Sequence, residues 1–189
     1  IAWTVKDNNN NTYTATQKIT VVDNQPPTIT PPADITVNAD NGSCGALVTL
    51  GIPTTSDNCG VASVSNNAPG SFPVGTTSVT WTVKDVNGNT TTATQKVTVI
   101  DNQKPDIFAP EDIFQYADSG VCYKMINGLG AETTGDNCGI LSVTHNGSGT
   151  YPVGTTTVTW TVTDIHGNTN TATQNVTIAD NQAPNLTLP

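Results

Sequence analysis

Not one of the 189 residues is arginine, and six lysines stand against fifteen aspartates and glutamates, leaving a formal net charge of −9. Neutralising nucleic-acid phosphate takes clustered Lys or Arg, so no nucleic-acid partner is expected. Repulsion from anionic lipid headgroups excludes a membrane-surface role by the same reasoning. Aromatic residues make up 5% of the chain, too few for the stacking platforms that read bases or sugars. No apolar run approaches the roughly 18 residues that a spanning helix needs, so no membrane insertion is expected. An apolar stripe at helical spacing is also missing, as is a charged-then-apolar N-terminal leader. The chain starts in mid-pattern, so the missing leader says nothing about export.

What fills the space is threonine, asparagine and glycine, with only 11% of residues charged. Threonine suits the pleated strand and Asn-Gly pairs supply its turns. Acidity without arginine leaves hard-cation binding as the natural electrostatic role.

Internal repetition organises the chain. Trp81-Thr-Val-Lys-Asp85 recurs as Trp160-Thr-Val-Thr-Asp164 and as Trp3-Thr-Val-Lys-Asp7. Asp23-Asn-Gln25 returns as Asp101-Asn-Gln103 and Asp180-Asn-Gln182, each just ahead of a proline. Asp57-Asn-Cys-Gly60 returns as Asp136-Asn-Cys-Gly139, and Phe72-Pro-Val-Gly-Thr-Thr77 as Tyr151-Pro-Val-Gly-Thr-Thr156. Two complete repeats follow, at 23–100 and 101–179. Residues 1–22 match the last strands of a preceding repeat, and 180–189 the start of a following one. The pattern reads as a window on a longer array, and the N-terminal hairpin is too small to be stable by itself.

Within a repeat the period is two. Val79, Trp81 and Val83 share one face while Thr80, Thr82 and Lys84 share the other, and Val97 and Val99 alternate inward in Gln95–Ile100. The segments 35–39, 46–50 and 61–65 read as further strands between Pro, Gly and Asn. Short strands with turn signals every 8–12 residues predict an all-β chain of tandem β-sandwiches. A domain this small needs a staple. Four cysteines allow three pairings, and the repeat selects Cys44 with Cys59 and Cys122 with Cys138, each within its own repeat. Two cysteines per repeat without paired histidines cannot make a four-ligand zinc site. Disulfides place the protein in an oxidising, extracellular compartment, secreted or on the cell surface.

Taken together, Pro32-x-Asp-Ile35 and Pro110-x-Asp-Ile113, Asp-Asn-Cys-Gly, Phe/Tyr-Pro-Val-Gly-Thr-Thr and Val-Thr-Trp-Thr-Val-x-Asp-x-x-Gly-Asn resemble the HYR, or hyalin repeat, family over essentially the whole chain. The resemblance implies immunoglobulin-like repeats of secreted or surface proteins linked to adhesion. The Thr- and Asn-rich form is similar to bacterial surface adhesins.

The repeated acids suggest a site. If the turn after the second strand, the last hairpin and the linker share one pole, then Asp101, Asn102, Asp136, Asp164 and Asn168 converge. One repeat earlier Asp23, Asn24, Asp57, Asp85 and Asn89 do the same, and Asp40 approaches the next linker from its other side. Oxygens gathered from several loops are what calcium takes, six to eight at a time. The competing reading is that Asp and Asn cap their own turns. His145 and His166 face Asn at the equivalent positions of the first repeat and read as surface histidines. Trp3, Trp81 and Trp160 read as core. No serine has a positioned histidine and acid beside it, so catalysis has no visible basis. The expected function is a stalk or fibre-building spacer whose partners are neighbouring repeats and, in a fibre, other copies. The alternative is an adhesin domain gripping polysaccharide or a surface protein through Phe114, Tyr116 and Tyr123.

Overall fold

The computed structural model describes residues 1–187; Leu188 and Pro189, the end of the 180–189 segment, lie outside the described residues. Every regular element among the described residues is a strand. The N-terminal hairpin is β1 (Ala2–Lys6) and β2 (Thr12–Thr16). The first repeat supplies β3 (Thr28–Thr30), β4 (Ile35–Asn38), β5 (Gly45–Ala46), β6 (Thr54–Ser56), β7 (Val61–Asn66), β8 (Phe72–Pro73), β9 (Gly75–Asp85) and β10 (Thr90–Ile100). The second supplies β11 (Asp106–Phe108), β12 (Ile113–Tyr116), β13 (Tyr123–Met125), β14 (Thr133–Gly135), β15 (Ile140–His145), β16 (Thr150–Pro152), β17 (Gly154–Asp164) and β18 (Thr169–Ala179).

The chain forms two compact units. One holds Ile1–Asp34, Thr49–Ala68 and Ser78–Lys96, the other Ile35–Val48, Pro69–Thr77 and everything from Val97 on. The second repeat lies wholly in the latter and shows the architecture complete. Its larger sheet runs β12-β18-β17-β15, and the pairs β11-β14 and β13-β16 cover one face. Alternation along β17 and β18 buries Val158, Trp160, Val162, Val176 and Ile178, which pack with Ile107, Leu129 and Tyr151 from the covering elements. The first repeat repeats the sheet order, β4-β10-β9-β7, and Val79, Trp81, Val83, Val97 and Val99 are its buried set.

One contact recurs in both buried sets. Gln174 is fully buried, and its Oε1 accepts from Trp160 Nε1–H at 3.3 Å while Nε2 donates to the carbonyls of Glu111 (2.7 Å) and Leu129 (2.8 Å). A buried indole and a buried amide thus satisfy one another, the usual condition for keeping either inside. Trp81 and Gln95 are joined the same way at 3.1 Å, as are Trp3 and Gln17.

Two expectations need correction, and the topology adds a finding of its own. Trp3 is 63% exposed, not core, because no second layer covers the β1–β2 hairpin among the described residues. The strand expected over 46–50 stops at Ala46, since the Leu47 N–H turns to Asp40 Oδ2 (2.9 Å) and not to a strand partner. The sandwich is not purely antiparallel: β12 pairs in parallel with β18, as β4 does with β10. After β11 the chain crosses between sheets at 109–112 and keeps its direction in β12. β13 and then β14 follow in the opposite direction, one pass in two short strands that returns the chain to the linker end.

Candidate functional site

The second linker opens with Asp101, and its hydrogen bonds explain why the carboxylate turns inward. Oδ1 accepts from the N–H of Gln103 (3.1 Å) and from Asn137 Nδ2 (3.3 Å), and Oδ2 lies 3.0 Å from His166 Nδ1. Asp164 closes the β17–β18 hairpin. Its Oδ1 accepts from the N–H groups of His166 and Asn168, both at 2.8 Å, and its Oδ2 from Asn168 Nδ2 at 2.7 Å. Asp136 heads the turn after β14, where Oδ2 accepts from the N–H groups of Cys138 (2.7 Å) and Gly139 (2.8 Å). Gly139 takes φ 120°, a conformation side-chain-bearing residues avoid. One oxygen from each of Asp101, Asp136 and Asp164 lies within 4.8 Å of the others. Asp101 and Asp164 are buried, and Asp136 Oδ1 is shielded from solvent with no hydrogen-bond donor.

The first repeat builds the same group from Asp23, Asp57 and Asp85, again within 4.8 Å. Asp57 Oδ2 accepts from the N–H groups of Cys59 and Gly60, both at 2.8 Å, and Asp57 Oδ1 is the orphan. Asp85 repeats the hairpin pattern with Asn87 and Asn89. Two copies of one detail are harder to dismiss than one.

The donors control the charge. Burial by itself would raise the Asp164 carboxyl, but the Asn168 side chain and the amides of Asn168, His166 and Gly167 outweigh it and hold the group below its ordinary value. Asp85 is lowered against the same burial by Asn89, Asn87 and Gly88. Asp23 is lowered chiefly by the Gln25 amide. Three close aspartates per group, one of them with an oxygen that no donor reaches, form a compact acidic nest suited to a hard cation.

Not every candidate residue reaches that nest with an oxygen. Asn89 and Asn168 turn Nδ2 toward the carboxylates and serve as clamps. Asn24 and Asn102 are exposed on the linkers. Asp40 does meet the next linker, though through its carbonyl, which accepts from Gln103 Nε2 at 3.0 Å. His166 is exposed, the surface position expected of it, and there its Nδ1 also pairs with Asp101 Oδ2. The signal for this was its alignment with Asn87, whose Nδ2 donates to Asp23 Oδ2 at 3.0 Å.

The disulfide pairing expected within each repeat is wrong. Cys44 bonds to Cys138, 94 residues away, while Cys59 and Cys122 are free and exposed. The second repeat shows why. Cys138 sits beside Asp101 at the end where the linker arrives, whereas Cys122 follows the turn after β12, where Gly120 N–H donates to Gln182 Oε1 of the departing linker. The two cysteines of a repeat stand at opposite poles. Around the bond that does form, Asn137 Nδ2 donates to the Ser43 carbonyl (2.9 Å) and the Gly42 N–H to Gln103 Oε1 (2.7 Å).

Comparison with known proteins agrees with this repeat structure. The HYR domain profile matches residues 22–99 and 100–178. Hyalin of Lytechinus variegatus is 34% identical over 190 residues, covering 94% of this chain and 36% of that protein. Hyalin of Strongylocentrotus purpuratus is 35% identical over 196 residues, with 96% and 16% covered. The chain thus spans well under two thirds of either relative. Among solved structures, Drosophila N-cadherin EC1-4 superposes with a TM-score of 0.41 and 10% identity, over 82% of this chain and 49% of that one. Likeness at that level carries nothing about function.

Proposed function

The chain belongs to the HYR domain family, and from that footing we propose that it is an adhesion-related spacer of an extracellular repeat protein, stiffened by calcium beside its linkers. Domains of this family are structural modules without enzymatic activity, and this chain is one. Asp101, Asp136 and Asp164 would hold one ion, and Asp23, Asp57 and Asp85 another, with backbone carbonyls and water completing the shell. The observation that carries this reading is the orphaned, solvent-shielded Oδ1 of Asp136, repeated at Asp57, on a carboxylate that has an oxygen within 4.8 Å of those of two further aspartates. A bound ion ties the linker to two loops of the domain it leads into, so occupancy sets how stiffly one repeat follows another.

Thermal unfolding with disulfides intact tests it, first in millimolar calcium and then in chelator. A site that binds only the native state adds about 2.7 kcal/mol when the ion stands at a hundred times its Kd. The melting temperature is expected to rise with calcium and the rise to shrink in Asp136→Asn, which keeps acceptors for the Cys138 and Gly139 amides. In chelator Asp136→Asn should melt no lower than the parent, because a neutral amide relieves the repulsion. No calcium shift in the parent would reduce the acids to turn caps and the module to a more flexible tether.

A second reading has one observation in its favour. Phe114 and Tyr116, 58% and 51% exposed, stack edge to face at 5.5 Å on edge strand β12, where the first repeat has Thr36 and Asn38. Exposed paired aromatics suit a polysaccharide or protein ligand. A glycan array that stays blank with calcium present would set this reading aside.

A further inference from the structure

Two cysteines remain outside the bond described above, and neither is in an indifferent place. Cys59 occupies the position of Cys138, in the same Asp-Asn-Cys-Gly turn with the same contacts. Its N–H donates to Asp57 Oδ2 at 2.8 Å, as that of Cys138 does to Asp136 Oδ2 at 2.7 Å. Asn58 Nδ2 lies 3.3 Å from the Cys59 sulfur and 3.4 Å from Asp23 Oδ1, and Asn137 lies 3.3 Å from each of the counterparts. Cys122 occupies the position of Cys44. The Cys44 turn is gripped by the next linker through Gln103, whose Oε1 accepts from Gly42 N–H (2.7 Å) and whose Nε2 donates to Asp40 O (3.0 Å). Gln182 grips the Cys122 turn with the same pair of bonds, to Gly120 (2.8 Å) and Asp118 (2.9 Å). Where the clamp and the Asp-Asn-Cys-Gly turn are both present, at Cys44 and Cys138, the bond exists. Each remaining cysteine has one half of that arrangement already formed.

We infer that Cys59 and Cys122 are the two unlike halves of the same bond, each made with an adjoining HYR repeat of the same polypeptide. Cys59 takes the turn cysteine of the repeat ahead, and Cys122 takes the Asp-Asn-Cys-Gly cysteine of the repeat behind. The ligand class is thus a cysteine-bearing repeat of this family. The array becomes a covalent daisy chain in which every linker is bridged by a disulfide. Formation of each bond moves two electrons and two protons from the paired thiols to a low-molecular-weight disulfide such as oxidised glutathione, which departs as two thiols. The inference rests on the Cys44–Cys138 bond and the repeat, and stands whether or not calcium binds.

The test is peptide mapping of the full-length native protein, alkylated without reductant and digested. Cys59 and Cys122 are expected unalkylated, each in a cross-linked pair with a cysteine of the neighbouring repeat. Quantitative alkylation of either one beside an intact Cys44–Cys138 pair overturns the inference, as do pairs within a repeat. Growth of mixed light- and heavy-isotope protein separates the remaining source: a heavy–light cross-link would mean a second copy and defeat the same-chain assignment. A further arm uses Gln182→Ala with a glutathione refolding buffer. The Cys122 bond should then re-form several-fold more slowly than the Cys44–Cys138 bond of the same molecule, which serves as the internal control. Equal rates would show that the linker clamp does not bring the cysteines together.

Discussion

Asp164 and Asp136 are both aspartates of one acidic group, yet their surroundings make opposite demands. Asp164 has a donor on each oxygen, so ionisation is favoured and its folded pKa lies below the ordinary 3.8. The stabilisation it gives is therefore complete above the unfolded pKa and is lost as pH falls through the lower, folded value. In chelator, the melting temperature should hold from neutral pH to about pH 4 and then fall steeply. Asp164→Asn should melt lower at neutral pH, because an amide now faces the Asn168 amide, and its profile below about pH 4 should be flatter. Equal acid sensitivity in parent and variant would remove Asp164 from the acid-labile set. Asp136 lacks a donor on Oδ1, and its stability contribution is expected to respond to cation.

At the scale of elements, the second repeat carries a packing trade. A Cβ placed on Gly147 would come 2.5 Å from Tyr151 Oη and 2.8 Å from Leu129 Cδ1, and Tyr151 Oη is itself buried without a partner. The first repeat has Ala68 and Phe72 at these two positions. Gly147→Ala should therefore cost about 1–3 kcal/mol as an overpacked core, and Gly147→Ala with Tyr151→Phe should recover most of it. Calorimetry of the two variants decides, at roughly 4–8 °C per kcal/mol for a domain of this size. An additive pair would disprove the trade. Much at this scale was legible beforehand. The alternation through Trp81 and Trp160 gave the long strands and their buried faces, because one face of a wide antiparallel ribbon has to be apolar. The three-residue strands β3, β6, β11 and β14 were not, because a run such as Thr-Ile-Thr carries too little pattern to stand out from a loop. Gln95 and Gln174 escaped notice for a related reason: a polar residue looks external until its tryptophan partner is in view. The acidic group could be foreseen from repeated Asp residues in turns, whereas the pairing of His166 with Asp101 needed its alignment with Asn87.

For the whole molecule, the cysteines mislead when each repeat is taken as a closed object. Pairing within a repeat is natural for a small domain short of core, yet the two positions lie at opposite poles and the bond crosses the linker. Closing a loop of 94 residues is worth about 4.7 kcal/mol in the chain-entropy model. The double variant Cys44→Ser with Cys138→Ser should accordingly melt lower while keeping its β-rich circular dichroism at room temperature. Loss of that spectrum would mean the bond is needed for folding as well as stability.

The same bond redirects mechanical load. Tension entering before Cys44 and leaving after Cys138 can pass through two sulfur atoms without straining the residues between them. Were that segment pulled out, it would lengthen the chain by roughly 310–340 Å, at 3.3–3.6 Å for each of the 94 residues. With the bond closed this slack is locked away, and a tether built from such links would stop short under a sudden pull and lengthen only when a reductant opened it.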